Sequence, residues 1–468
     1  MSIYSGYDGA NTSNKRKPPT GILRAEDAEL LPMQRRYLVS GARDINRNYA
    51  LAGWMIRRHL DYVTTFAFKP CCEDAQANKN LSAFVRRWGQ AKHFDICRRH
   101  GLARAIRMAE ARRLIDGDMF FLKLATGKIQ ALEGDRIATP QGGVPTELND
   151  MWVHPLVHGI MTDRVGRALA YAVCRRGIYS DVQPGAIGLL IFERLVPARH
   201  VFHFGYFERF DQVRGISPLA SALNTLRDTY EAFDYTLARL KVEQLFGLVI
   251  TSNNEDTLGE VSSLTDASGN VEAPGYEVDF GGGPIKLELD PGDDAKFIGA
   301  DNPSGNAQAF TQSMIALALK SIDLPFCLYS EDFTNYSGSR LALIQYMHAA
   351  EIRRQDVREL YDDLTRWRIR IALDRGELPR LPRGQKYAWE WVAKGIPWID
   401  PAKEIDGDLR AIAGGLYTRT QALREQGRDF EQVAAELARE QKIMLALGLN
   451  PNAEIPPVNV TEVHSAPA

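Results

Sequence analysis

Asp323-Leu-Pro-Phe-Cys-Leu-Tyr-Ser-Glu-Asp-Phe-Thr-Asn-Tyr-Ser-Gly-Ser-Arg340 lies between an apolar helical segment and a very long charged one. Upstream, Phe310, Met314, Ile315, Leu317, Ala318 and Leu319 have helical spacing. Pro325 must end that helix, because proline lacks the amide and its ring clashes with the preceding turn. Downstream, Ser337 or Ser339 is expected to cap a second helix by offering a side-chain oxygen to an orphan amide. No breaker follows until about Gly376, so at about 1.5 Å per residue the second helix should run roughly 50–60 Å. One small core does not need a helix that long. Two helices joined by a polar and aromatic loop predict a wall or strut with a working tip; the pattern also suits an ordinary surface loop between core helices.

The chain has 468 residues, 45% of them hydrophobic, enough for two to four domains with a real core. Its formal net charge of -2 argues against a strongly basic, tight nucleic-acid binder, since that affinity comes mainly from cations displacing counterions on phosphates. Five cysteines, irregularly placed, do not make a disulfide scaffold and point to a reducing compartment. No apolar run has the length of a signal peptide or a membrane span, so no membrane partner and a cytoplasmic site of synthesis are expected.

Residues 1–24, with Lys15-Arg16-Lys17 among Ser, Asn, Gly and Pro, read as a mobile arm, and the Pro-rich residues 451–468 as a loose tail. From Leu31 to Phe66, apolar positions such as Leu51, Met55 and Leu60 recur at helical spacing with Arg43, Arg47, Arg57 and Arg58 between them. Leu81 to Leu114 is again helical and breaks at Asp116-Gly117-Asp118, a tight turn into the strand Met119–Leu124. Residues 119–204 alternate short apolar runs with turn clusters and read as a small mixed sheet ending in Val201-Phe-His-Phe204. Ser217-Pro218 then opens a helix, serine as cap and proline at the first position. Its seam of Leu219, Leu223, Leu226, Tyr230, Phe233, Leu237 and Leu240 suits shallow-angle packing on other long helices, or one amphipathic helix on its own domain. Residues 247–303 read as a β-containing insertion, with Gly281-Gly-Gly-Pro284 and Asp290–Asp294 separating strands such as Ile285–Leu289. Residues 402–448 read as helical and charged.

Catalytic chemistry finds no support. No Gly-rich loop leads into Lys and Ser or Thr, and no strained Gly-x-Ser-x-Gly turn is present. His93, Cys97 and His100 stand at helical i, i+4, i+7 spacing but lack a fourth metal ligand. Cys71-Cys72 is poor geometry for one metal and strained as a disulfide. Asp116 and Asp118, like Asp290, Asp293 and Asp294, sit at Gly turns, where aspartate is expected for turn chemistry rather than metal binding. No catalytic residue, metal or cofactor is expected.

Several strings, in order, resemble the lambda-like portal family of tailed bacteriophages. Ala42-Arg-Asp-Ile-Asn-Arg-Asn48 resembles its N-terminal motif. Gly117-Asp-Met-Phe-Phe121 with Leu132-Glu-Gly-Asp-Arg136 is similar to its central sheet. Gln212-Val-Arg-Gly-Ile-Ser-Pro-Leu219 resembles the lead into its first stem helix. Asp332-Phe-Thr-Asn-Tyr-Ser-Gly-Ser-Arg340 resembles its loop signature, and Pro397-Trp-Ile-Asp-Pro-Ala-Lys403 a C-terminal motif. In the loop, Thr334 runs directly into Asn335-Tyr336 and Gly338 replaces a serine, so a shorter or differently shaped loop is expected.

The resemblance implies an α+β portal-type fold: wing helices and a mixed α/β wing sheet (25–216), a first stem helix (217–246), a small β-containing clip (247–303) and a second stem helix (304–322). A tunnel loop (323–337), a long wing helix (338–376) and C-terminal wing and crown helices (377–450) follow. It implies a homo-oligomeric ring, a dodecamer, at the portal vertex of the virion, assembled in the host cytoplasm. The implied partners are the terminase large subunit, major capsid and scaffold proteins, a head-completion or adaptor protein, and double-stranded DNA passing through the channel. Glu331, Asp332, Phe333, Thr334, Asn335, Tyr336 and Ser337 would line that channel. Glu331 and Asp332, with no Lys or Arg before Arg340, would repel phosphate while Asn335 and Tyr336 make weak contacts. The stem seam and Arg340, Arg353, Arg354 and Arg358 would meet neighbouring subunits. The rival expectation is a cytoplasmic enzyme or scaffold with a helical core.

Overall fold

A computed structural model describes residues 24–140, 156–176, 190–245, 248–252, 293–297, 305–331, 336–395 and 401–448. The chain divides into a larger unit, residues 1–223 with 319–468, and a smaller one, residues 224–318. The architecture is α+β.

The larger unit opens with α1 (Glu26–Glu29), α2 (Pro32–Asn48) and α3 (Ala50–Val63). Pro32 stands at the first position of α2, where its missing amide costs nothing, and the Gln34 side chain accepts the Leu31 N–H. After β1 (Phe66–Pro70) comes α4 (Ala75–Trp88), whose cap Asp74 accepts the amides of Gln76 and Ala77. The helical run expected from Leu81 to Leu114 is three elements: α4, the single turn α5 (Ala91–Phe94) and α6 (Leu102–Asp116). The break follows from Gly89 and from Asp95, whose carboxylate accepts the amides of Cys97, Arg99 and His100 and folds that stretch into a loop. His93, Cys97 and His100 therefore do not share a helix face. Among the described residues no cluster could hold a metal ion, and all five cysteines are free thiols.

The region expected as one mixed sheet is two antiparallel sheets. In the first, β2 (Asp118–Lys123) is central between β3 (Ile129–Glu133) and β8 (Val201–Gly205); the second runs β4 (Leu156–Val157), β5 (Ile160–Thr162), β6 (Ala168–Arg176) and β7 (Leu190–Pro197). Tight turns, such as the one at Gly127 with its φ of +79°, return a strand beside its predecessor and dictate antiparallel pairing. Phe120, Leu122 and Leu132 of the first sheet meet Ile160, Tyr171 and Val173 of the second in one buried cluster.

The smaller unit holds most of α7 (Leu223–Leu245), β9 (Leu248–Ser252) paired antiparallel with β10 (Asp293–Phe297), and most of α8 (Gly305–Leu319). Asp293 and Asp294, expected in a turn, lie in β10; Gly281–Pro284 and Ile285–Leu289 lie outside the described residues. Ser217 accepts the Leu219 amide, but the element it caps is a short 3₁₀ turn, Pro218–Ser221, and the α-helix begins at Leu223.

Back in the larger unit follow α9 (Cys327–Ser330), α10 (Tyr336–Asp374), β11 (Trp389–Ala393), α11 (Pro401–Ala413), α12 (Arg419–Glu425) and α13 (Phe430–Ala446). The 39 residues of α10 span about 58 Å at about 1.5 Å each. Ser337 and Ser339, expected as its caps, lie inside the helix instead, because helical geometry already starts at Tyr336. Buried Tyr346, Ala350, Val357, Leu360, Tyr361 and Leu364 follow helical spacing, the stripe a long helix needs to lie on a core. β11 pairs with β1, joining the two ends of the unit. No described helix is long and apolar enough to cross a membrane.

Candidate functional site

Two polar constructions organise the larger unit. The first is centred on Asp118, whose side chain has no exposure. It accepts hydrogen bonds from Arg214 Nε (2.6 Å) and Nη2 (2.8 Å), Arg35 Nη2 (3.0 Å) and the Gly215 amide (3.1 Å). Arg214 spends its remaining donors on the carbonyls of Ile137, His158 and Gly134 at 2.6–2.7 Å. Burial alone would raise the Asp118 carboxyl, but Arg214 and Arg35 overcome it and hold the group far below the ordinary carboxylate range. Burial and the charge of Arg214 push Arg35 down to about 10.

Glycines make this approach possible. A Cβ on Gly117, where φ is +89°, would lie 2.3 Å from the Gly215 carbonyl oxygen; one on Gly134 would lie 2.6 Å from an Asp118 oxygen. Beside this centre, Arg43 grips Asp116 with two parallel hydrogen bonds of 2.7 Å and reaches Asp135 at 2.9 Å. Asp116 and Asp118, read from sequence as turn residues, are thus anchors for arginines far away in the chain.

The second construction holds the loop after α8. The helix tightens into a 3₁₀ turn, Lys320–Ile322, and Asp323 takes the left-handed conformation with φ 60° while the Leu324 amide returns to the Leu319 carbonyl. Arg353, on α10, donates to the Ile322 carbonyl (2.8 Å) and to Asp323 Oδ2 (2.9 Å), placing a cation at carbonyls that a helix end leaves unsatisfied. Arg354 donates to the Tyr62 carbonyl, and Tyr329 meets Trp54 edge-on at 6.1 Å.

Of the expected channel residues, Glu331 is exposed, with φ 53°, at the end of α9. Asp332, Phe333, Thr334 and Asn335 lie outside the described residues, and Tyr336 and Ser337 belong to the first turn of α10 rather than to a loop. The expected loop 323–337 therefore contains a helical turn, α9, and loses its last two residues to α10. In the seam, Leu219, Leu223 and Leu226 are buried, whereas Tyr230, Phe233 and Leu237 are exposed and Leu240 is half-buried. Arg353, Arg354 and Arg358, expected to meet neighbouring subunits, are engaged within the chain: Arg358 pairs with Glu351 at 3.1 Å, and Arg353 and Arg354 are buried. Arg340 is exposed.

A family model described as phage portal protein, lambda family, matches residues 17–354, well over half of the chain. The chain belongs to this family. The portal protein of Escherichia phage N15 is 22% identical over 510 residues, covering 96% of this chain and 92% of its own length. Portal protein B of Escherichia phage lambda is 22% identical over 511 residues, with the same coverage. A solved chain from the neck of an empty GTA particle is 14% identical with a TM-score of 0.48, covering 88% of this chain and 94% of that one.

As a phage portal protein the chain is structural rather than catalytic. The N-terminal, sheet and stem-lead strings that resembled the family have a common physical purpose. Arg43 from the N-terminal motif, Asp118, Gly134 and Asp135 from the two sheet strings, and Arg214 with Gly215 from the lead into the stem meet at one junction. Sequence reasoning missed Arg35, which stands in no such string; its only signal was a cation on the otherwise buried side of α2.

Proposed function

We propose that the chain forms a closed ring of about twelve copies at one vertex of a tailed-phage capsid, through which double-stranded DNA is packaged and later ejected. Family membership across residues 17–354 carries this reading. The seam on α7 supports it: its first part is buried within one chain, while Tyr230, Phe233 and Leu237 leave apolar surface for a second copy. The α7 and α8 helices serve as the stem, residues 247–303 as the clip that meets the terminase motor, and the C-terminal helices as wing and crown. Exposed Arg340 is assigned to contacts between copies.

Residues 323–337 approach the DNA, with exposed Glu331 presenting like charge to phosphate, so that the duplex is touched without being gripped. Capsid, scaffold and head-completion proteins surround the ring, which is assembled in the host cytoplasm and retained in the virion. Electron microscopy of the purified assembly tests this: a closed ring is expected, and a stable monomer under assembly conditions overturns it.

A further inference from the structure

Among the described residues β8 is the terminal strand of its sheet, pairing on one side only, with β2. Its other side faces a groove of about 580 Å³ whose opposite wall is α10, a volume within the roughly 300–1,000 Å³ of ligand sites. All five residues from Val201 to Gly205 line this groove. Successive strand residues point to opposite faces of a sheet, so a groove touched by five in a row is walled by the strand's edge, with its main-chain donors and acceptors.

The groove has a direction and a charge. Phe202 meets Trp367 edge-on at 6.2 Å, while Arg113, beside the Phe204 ring, pairs with Asp356. β8 therefore runs antiparallel to α10. At the Phe202 end stand Lys123, Arg199 and Arg370. Lys123 Nζ sits 3.8 Å over the Phe202 ring and donates to the Arg199 carbonyl, and Arg199 donates to His200. Among the described residues none of these three cations forms an ion pair with a carboxylate. Of the carboxylates on the α10 wall, Asp356 pairs with Arg113 and Asp363 with Arg366, while Glu359, which accepts only a neutral amide from Gln355, lies towards the Phe204 end, away from the three cations. Burial pushes the Lys123 ammonium below its ordinary value, against the pull of Asp363.

We propose that this groove is a strand-addition site for an extended acidic segment of a second protein, which pairs its main chain with the edge of β8 and sets its carboxylates against Lys123, Arg199 and Arg370. The edge favours a peptide over a nucleic acid, because only a peptide backbone supplies both donors and acceptors at strand spacing. The three cations select acidic over basic segments.

The test uses the full-length assembled protein and a capped, labelled peptide of alternating glutamate and valine, followed by fluorescence anisotropy and hydrogen exchange. Binding with new protection of the β8 amides on the edge away from β2 is expected. An affinity loss of about tenfold or more is expected for Lys123→Glu with Arg370→Glu, and comparable loss when alternate peptide amides are N-methylated. Arg199→Glu, on an exposed side chain, replaces the double variant should that one fail to fold. The proposal is overturned by absence of binding, by equal binding of the N-methylated peptide, or by a lysine–valine peptide binding as well. It is also overturned if a DNA duplex displaces the peptide without protecting β8, or if the β8 amides on the edge away from β2 are already protected without peptide, which would assign the groove to a neighbouring copy.

Discussion

Arg214 and Asp118, 96 residues apart in sequence, are both fully buried and joined by two hydrogen bonds of 2.6 and 2.8 Å. The pair connects the segment leading into α7 to the central strand of the first sheet, and Arg214 closes three carbonyls besides. Breaking a buried ion pair from one side costs about 3–5 kcal/mol, because the partner charge is left uncompensated. Arg214→Ala is therefore expected to lower the denaturation midpoint sharply or prevent folding. Arg214→Lys is expected to recover only part of the loss, since an ammonium cannot reproduce the planar fork. Unfolding curves in urea check both.

Acid sensitivity follows from the same kind of pairing. Glu110 is fully buried; burial would raise its carboxyl, but Arg113 and His59 hold it down to about 2. Asp135, between Arg176 and Arg43, is likewise held against burial at about 2. Both native values lie below the unfolded values of about 4.3 and 3.9. The unfolded chain then binds more protons as pH falls, so this stabilisation is fully present above about pH 5 and is lost through about pH 4 to 2. Urea midpoints should drop across that window, and Asp135→Asn, though less stable at neutral pH, should show a shallower drop.

The long helix was legible because its information is local: no breaker precedes Gly376, and apolar positions keep helical spacing through Leu364. The junction around Asp118 was not. Aspartate after glycine is ordinary turn chemistry, and the guanidiniums that give it another purpose arrive from 83 and 96 residues away. The clamp made by Arg353 was hidden for the same reason: a cation on a charged helix reads as outward-facing, and its acceptor at Asp323 lies 30 residues upstream. The division of the sheet was hidden because alternation sets which face a strand buries, not which neighbour it pairs with.

Arg353 holds the end of the loop, so removing it should loosen that segment before it loosens the fold. Arg353→Ala leaves the Ile322 carbonyl and the Asp323 carboxylate without their donor. Faster hydrogen exchange is expected across residues 319–331, with little change in α6. Asp323→Asn should do much less, because that carboxylate is about half exposed and such pairs contribute at most about 1 kcal/mol. Equal exchange in Arg353→Ala and the parent protein would show that the clamp is not what fixes the loop.

Gly117→Ala tests the backbone crossing. The added methyl would lie 2.3 Å from the Gly215 carbonyl oxygen, and the φ of +89° disfavours any side chain. Neither the strand start nor the segment carrying Arg214 can move without disturbing Asp118. A cost of about 1–3 kcal/mol or more is expected from overpacking. Gly166→Ala, where φ is +84° but nothing lies within 4 Å, separates conformational strain from the clash: it should be milder by thermal unfolding.

In the proposed ring, where residues 323–337 face the duplex, the charge of the loop bears on DNA passage. Each lysine or arginine that binds a phosphate adds affinity, and affinity along a channel resists sliding. Glu331 is exposed and Asp332 follows it, with no cation until Arg340. Replacing both by lysine is expected to leave ring assembly intact, because Glu331 takes part in neither the hydrogen bonds of the buried junction nor those of the Arg353 clamp. It is also expected to slow packaging, most at low salt, where phosphate binding is strongest. Packaging of full-length DNA at the parent rate by rings of normal appearance would remove the acidic pair from the channel surface.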